Sequence, residues 1–196
     1  MKNKILLTIV IMIIVTNCSN VNRQEREQST HKKTLIAIRY FSGFDLAHDT
    51  YNAISAASDG KIYYVLSSQP HDVAGQVHVY DPQADTTRFL ADLTEICGEK
   101  DKKVIAQGKS HVRFYESGGK LYFSTHVGYY EMIDGMERLP VTAPEGYGLY
   151  TGGHFLSYDL NSGKFEDLGL APHGEGVLTM TMDTVRKQIY AITWPK

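Results

Sequence analysis

The chain has 196 residues, enough for one sizeable domain, and 42% hydrophobic against 21% charged residues is ordinary for a globular protein. A formal net charge of -2 and a pI near 6.4 offer no basic surface of the kind that nucleic-acid binding requires, so that partner is excluded. The 13 tyrosines, set beside 7 Phe and 1 Trp, suit β-strands first and carbohydrate-facing surfaces second.

The N-terminus stands apart from the fold. Lys2 and Lys4 precede an apolar run from Ile5 to Val15, the length of a signal-peptide core and too short to span a bilayer as a helix. Thr16, Asn17 and Cys18 follow at once, and the arrangement resembles a bacterial lipoprotein signal in which cleavage leaves Cys18 as the lipid-carrying N-terminus. Asn17 departs from the small residue usual before that cysteine, and the alternative is a secreted protein with an incidental Cys18. Residues 1–17 are therefore expected to be a lipoprotein signal peptide, and the polar stretch 18–33 a flexible tether. This places the protein at the outer membrane or cell surface as a lipid-anchored lipoprotein. Cys18 and Cys97 are the only cysteines, so with Cys18 acylated there is no disulfide framework, and Cys97 reads as a small buried hydrophobe.

From Thr34 onward the chain reads as strands almost throughout, an all-β pattern. Runs rich in β-branched and aromatic residues fall at 35–41, 61–67, 76–80, 86–90, 112–115, 120–125, 154–158, 164–167, 177–182 and 188–193, separated by Asp-Gly, Gly-Gly, Asp-Pro and Ser-Gly turns. Only Leu90 to Gly98 suggests a helical turn.

An internal repeat organises these runs. SDGKIYYVLSS (58–68), SGGKLYFSTHV (117–127) and TVRKQIYAITW (184–194) share a turn, a lysine, an aliphatic residue and a tyrosine. A second unit matches GQVHVYDPQADTTRFLADL (75–93) to GGHFLSYDLNSGKFEDLGL (152–170): Tyr-Asp closes one strand, and a Phe followed by Asp-Leu closes the next. Two hairpins per unit make a four-stranded sheet, and such sheets in tandem are the blades of a β-propeller. The expected domain, 34–196, is an incomplete propeller: one blade over roughly 51–93, a second over roughly 110–170, and two strands of a third. Two and a half blades do not close a ring, which suggests a chain shortened from a longer ancestor.

The stretch from Gln107 to Asp159 concentrates the chemistry. His111, His126 and His154 each stand at the edge of a strand-like run with glycines and tyrosines beside them, where a sheet can aim them into a shared cleft. For each histidine a hydrogen-bonded strand-end imidazole is the competing structural role. His173 and Glu175 in PHGEG read as loop residues. There is no His-Glu-x-x-His, no cysteine pair and no Asp-rich loop, so no metal or other cofactor is expected, and the absence of Gly-x-Ser-x-Gly leaves a serine triad unsupported.

QGKSHVRFYESGGKLYFSTHVGYY, EGYGLYTGGHFLSYDL, GKFEDLGLAPHGEGVLTMTMD and IYAITWP resemble the ulvan lyases of the β-propeller polysaccharide lyase families 24 and 25, over the N-terminal half of the family's propeller. The resemblance implies a seven-bladed fold and β-elimination of uronate-containing sulfated algal polysaccharide. It also implies His126 and His154 as catalytic histidines, with His111, Gln107 and Tyr130 (and Tyr129 beside it) on the substrate side. The family's further tyrosine and arginine fall beyond Trp194, and Tyr190 and Arg186 fit a core and a turn role better than substitution for them. The expectation is a lipid-anchored, ulvan-lyase-like protein that is shortened and weakly active or inactive. The alternative is a non-catalytic propeller fragment that binds a glycan or a protein at the cell surface.

Overall fold

The computed structural model describes residues 35–194; the expected signal peptide over 1–17, the expected tether over 18–33 and Cys18 lie outside the described residues. Every described sheet lies within the unit Arg39–Lys196. That unit is all-β. Sheet one is an antiparallel meander of β1 (Ile54–Ala56), β2 (Ile62–Leu66), β3 (Gln76–Asp81) and β4 (Thr86–Asp92), in that order. Sheet two has the same path, β5 (Tyr115–Ser117), β6 (Lys120–Ser124), β9 (His154–Asp159) and β10 (Phe165–Leu170), and is interrupted by a separate hairpin of β7 (Glu131–Ile133) and β8 (Met136–Arg138). β11 (Gly176–Asp183) and β12 (Gln188–Trp194) form a terminal hairpin. No described helix is long and apolar enough to cross a membrane.

The sequence repeat is a repeat of strand pairing. Ile62 lies opposite Tyr80 in sheet one, and Leu121 lies opposite Tyr158 in sheet two, so the lysine-led run is the second strand and the Tyr-Asp run the third in each. Three pairings are interrupted by one extra residue, a leucine each time: Leu90 in β4, Leu168 in β10 and Leu178 in β11. Such bulges bend a strand and re-aim the side chains beyond it.

Because side chains alternate across a strand, each sheet has two faces, and the repeat makes them comparable. Sheet one turns Tyr63, Val65, Val77 and Val79 toward sheet two, which answers with Leu121, Phe123, Leu156 and Tyr158, all buried in one continuous core. The Tyr63 and Tyr158 rings are 5.6 Å apart. By the pairing register, Leu121 and Phe123 correspond to Ile62 and Tyr64, which sit on the other face of sheet one. The sheets therefore stack front on back. On the back of sheet two, Tyr115 donates a hydrogen bond of 2.7 Å to Met180 O in β11, and Met180 and Ile189 join the same core from the front of the hairpin.

Several expectations are corrected. The 35–41 run forms no strand: Leu35, Ile36, Ile38 and Phe41 are exposed and no described strand pairs with it. The 112–115 run enters a strand only at Tyr115, because Phe114 N is taken by Ser55 Oγ at 3.1 Å instead of by a ladder carbonyl. The helical turn is confined to α1 (Leu93–Ile96), whose first turn is capped by the Asp92 carboxylate accepting from Glu95 N at 2.9 Å. β1 and the β7–β8 hairpin were not anticipated, although Asp134-Gly135 supplies the two positive-φ residues that a tight hairpin needs.

The sheets are joined near the site by backbone against backbone. Ser68 N donates to Gly108 O at 2.9 Å, and a Cβ placed on Gly128 would lie 2.0 Å from Ser68 O. No side chain separates these strands. Gly128→Ala is expected to lower unfolding free energy by about 1–3 kcal/mol through overpacking of rigid backbone. Urea unfolding of the variant, with an unchanged midpoint as the contrary result, checks this.

Candidate functional site

Lys109 and His126 form an isolated antiparallel bridge, with Lys109 N to His126 O at 2.9 Å and His126 N to Lys109 O at 2.8 Å. Directly paired residues in such a bridge point to the same side, and alternation brings His111 to that side as well. A second segment reaches it because Ser67 N donates to Asp49 O at 2.9 Å, which carries Asp49 and Tyr51 alongside. Tyr130 arrives from the turn after β6, and Trp194 from the end of β12.

The result is one buried ammonium in an aromatic and imidazole surround. Lys109 Nζ lies 3.6 Å from Asp49 Oδ2, donates to Tyr51 Oη at 3.4 Å, and stands 5.0 and 5.1 Å from the ring centres of Tyr51 and Tyr130. Cations over aromatic faces in partly desolvated sites are favourable by about 0.5–2 kcal/mol. His111 stacks on Tyr51 at 4.2 Å and approaches His126 at 4.5 Å, while Trp194 lies 6.1 Å from both His126 and Tyr130. Tyr51 is about half exposed, at 47%, and forms the outer lip. Tyr130 also lines an adjoining cleft of 620 Å³ together with Asp45, His48, Gln69, Tyr129 and Glu137.

Burial sets the protonation states. It pulls both His126 and His111 down to about 4, with the neighbouring imidazole and Lys109 adding to the effect at His126 and Lys109 at His111. Both rings are neutral near pH 7. His126 Nδ1 is 3.1 Å from Val127 O, which can only accept, so the proton resides on Nδ1 and Nε2 carries the lone pair. Burial raises the Tyr130 phenol well above its ordinary range, leaving it a hydrogen-bond donor. Asp49 Oδ1, His111 Nε2 and His126 Nε2 are buried without a hydrogen-bond partner. Of these, His126 Nε2 is closely covered: a Cβ on Gly176 would lie 2.7 Å from it.

His154 belongs to a different constellation. Its Nδ1 is 2.8 Å from Asp167 Oδ2 and its Nε2 3.3 Å from Glu99 Oε1. Glu99 in turn accepts from Thr151 Oγ1 at 2.5 Å and from Gln107 Nε2 at 2.9 Å. Gln107 also donates to Gly152 O at 2.8 Å and accepts from Thr125 Oγ1 at 2.7 Å and Tyr150 Oη at 2.8 Å, which places it in the interior with its amide saturated by protein groups. The structure thus brings His111, His126 and Tyr130 together, and sets His154 and Gln107 in a separate buried network. Tyr190 and Arg186 are in the terminal hairpin, where they donate to Gln188 Oε1 at 2.7 Å and Asp183 Oδ2 at 2.6 Å.

Lys109, Asp49, Tyr51 and Glu99 were not singled out from the sequence. Alternation from His111 back to Lys109 was the available signal; the partners from residues 49 and 51 are set by tertiary contact alone. Among the described residues no cluster of three His, Cys, Asp or Glu side chains could hold a metal ion.

The two networks titrate oppositely. Burial works against the His154 cation, but bonds to Glu99 and Asp167 outweigh it and hold the imidazole above its ordinary 6.5. Burial likewise disfavours the Glu99 carboxylate, yet His154, Thr151 and Gln107 hold it below its ordinary 4.5. A raised histidine contributes stability that is complete below 6.5 and drains as pH rises through the raised value, whereas the lowered Glu99 contributes above 4.5 and is lost as pH falls through its lowered value. Stability from this pair should be greatest between about 4.5 and 6.5. Urea unfolding across pH is expected to show a fall on the alkaline side that His154→Gln removes, and imidazole NMR should show His154 titrating above His111 and His126.

No protein-family model matches the chain, and no curated protein matches it.

Proposed function

We propose that the protein is a lipid-anchored, cell-surface β-propeller module of the ulvan-lyase kind, which binds uronate-containing glycan at the Lys109 site and turns it over weakly or not at all. The observation that carries this reading is the seating of one ammonium between the Tyr51 and Tyr130 rings, beside two neutral imidazoles with unpaired nitrogens. An acidic sugar offers a carboxylate for the ammonium, a hydroxyl for the unpaired His111 nitrogen and an apolar ring face for tyrosine. The front-on-back stacking of like sheets supports the propeller architecture, since it is the relation by which successive blades surround an axis.

Elimination at a uronate requires a base for the C5 proton, a neutraliser of the carboxylate and an acid for the leaving oxygen. Tyr130 has a proton to give and His126 a lone pair to take one. Yet the His126 nitrogen that would act faces Gly176, and the ammonium already shares its charge with Asp49 at 3.6 Å. Each misplaced proton transfer forfeits on the order of 10² to 10⁴ in rate. Binding is therefore favoured over turnover.

Calorimetric titration of the full chain with a polyuronate oligosaccharide is expected to show saturable binding, weakened about tenfold or more in Lys109→Met, since a hydrogen bond to a charged group is worth about 1.5–3 kcal/mol. Ultraviolet absorbance of unsaturated uronate should stay near background. Absence of binding would remove the reading, and brisk elimination lost in His126→Ala would make the module an enzyme. The location has its own check. Cys18→Ala should move the protein from the membrane to the soluble fraction, because stable anchoring depends on the several acyl chains of a lipoprotein.

A further inference from the structure

The cleft beside Lys109 is lined in part by the β7–β8 hairpin, and the hairpin register decides which of its charges faces inward. Met132 pairs directly with Glu137, so the two share a face, and both line the cleft. Glu131 pairs with Arg138 one step along, which turns Arg138 to the opposite face. Asp45 brings a second carboxylate from the segment that leads to Asp49. Among the described residues, neither Asp45 nor Glu137 has an ion-pair partner, and no lysine or arginine lines the cleft. His48, which does line it, has its Nδ1 3.4 Å from Asp49 Oδ2. The Glu137 charge reaches the Lys109 site itself: burial does most to raise the Tyr130 phenol, and Glu137 is among the charges that add to it.

The rest of the lining suits a sugar ring. Tyr129 and Tyr130 give aromatic surface and are held in place by packing on Ile105, Val127 and Tyr150, while Leu46, Pro70 and Met132 add apolar surface. At 620 Å³ the cleft falls within the roughly 300–1,000 Å³ of small-molecule sites. We infer that this cleft is a second sugar subsite that takes an uncharged residue, and that Glu137 sets the preference by repelling a sulfate or a further carboxylate there. An uncharged pyranose gives hydroxyl donors to the carboxylates and an apolar face to the tyrosines. An anion in the same place would meet Asp45 and Glu137 with no cationic side chain of the lining to offset them, and like charges brought together across an interface discriminate against the wrong partner. The preferred glycan then sets one uronate, at Lys109, beside an unsulfated neutral residue. The inference rests on glycan binding at Lys109 and adds what kind of sugar stands next to the uronate.

Calorimetric titration of the full chain tests this with a polyuronate oligosaccharide and a matched pair of tetrasaccharides. The first of the pair is unsulfated chondroitin, in which glucuronate alternates with an uncharged N-acetylated amino sugar; the second carries sulfate on that amino sugar. Only the charge beside the uronate differs between them. The unsulfated form is expected to bind about threefold to tenfold tighter, a gap that narrows at high salt because exposed carboxylates are screened. Glu137→Gln should bring the two affinities together, and Glu137→Lys should invert their order. Circular dichroism establishes that both variants, altered on an exposed strand of the hairpin, keep their fold. A sulfated form that binds wild type as tightly as the unsulfated one, or a preference that salt and Glu137→Lys leave unmoved, would overturn the subsite and leave the Lys109 reading standing. Binding of polyuronate but of neither tetrasaccharide would do the same. Failure of every probe to bind would remove the Lys109 reading and the subsite with it.

Discussion

The arrangement depends on the closeness of three backbones. Ser68, Gly108 and Gly128 come from three different parts of the chain and meet with no side chain between them: a Cβ on Gly108 would lie 2.6 Å from Gly128 Cα, and one on Gly128 only 2.0 Å from Ser68 O. That closeness lets Lys109 pair with His126 and brings the Asp49–Tyr51 segment, itself hydrogen-bonded to Ser67, to the same side. Wider spacing here would leave the lysine in solvent. The site is thus a consequence of glycine at the seam.

Two histidine chemistries then arise at the ends of neighbouring strands, at His126 after β6 and His154 at the start of β9. His126 is fully buried among aromatic rings with a lysine nearby and loses its proton; His154 is also buried, but between two carboxylates that hold its imidazole above the ordinary range. The same desolvation acts on both, and the sign of the nearest charge decides the outcome. Thr125 separates the two: its hydroxyl accepts from His154 N at 2.8 Å and donates to Gln107 at 2.7 Å, tying the charged network to the strand that carries His126. The buried Glu99, Gln107 and Thr151 group fixes the end of β9 beneath the site.

Much of the sheet architecture was legible in the sequence because the repeat is written in turn chemistry and alternation. Lys61 and Lys120 after their Gly turns, and Tyr80-Asp81 and Tyr158-Asp159, identify equivalent strands without any long-range information. The Phe and Asp-Leu part of the repeat misled, because register sets Phe89 opposite His78 but Phe165 opposite Tyr158. Asp92 and Asp167 consequently do different work, one capping α1 and the other holding His154. Of the site, the histidines were visible as residue types at strand ends, but which of them share a pocket was not. That is fixed by side-chain parity at the ends of β6 and β9, where a single step along the strand exchanges one face for the other.

The same parity governs how such a chain can grow. If equivalent faces met each other, front to front, two sheets would satisfy the core and stacking would end. Here Tyr63 and Val65 look one way, while their neighbours Ile62 and Tyr64 correspond to residues looking back from sheet two. Every added sheet therefore buries one apolar face and exposes another of the same kind. Nothing in the packing of sheet one on sheet two, or of sheet two on the terminal hairpin, terminates the series. The exposed Tyr190 and Ile192 on the back of the terminal hairpin hold the places of Tyr63 and Val65, which sheet one buries against sheet two, so exposure here follows position in the stack and not residue type.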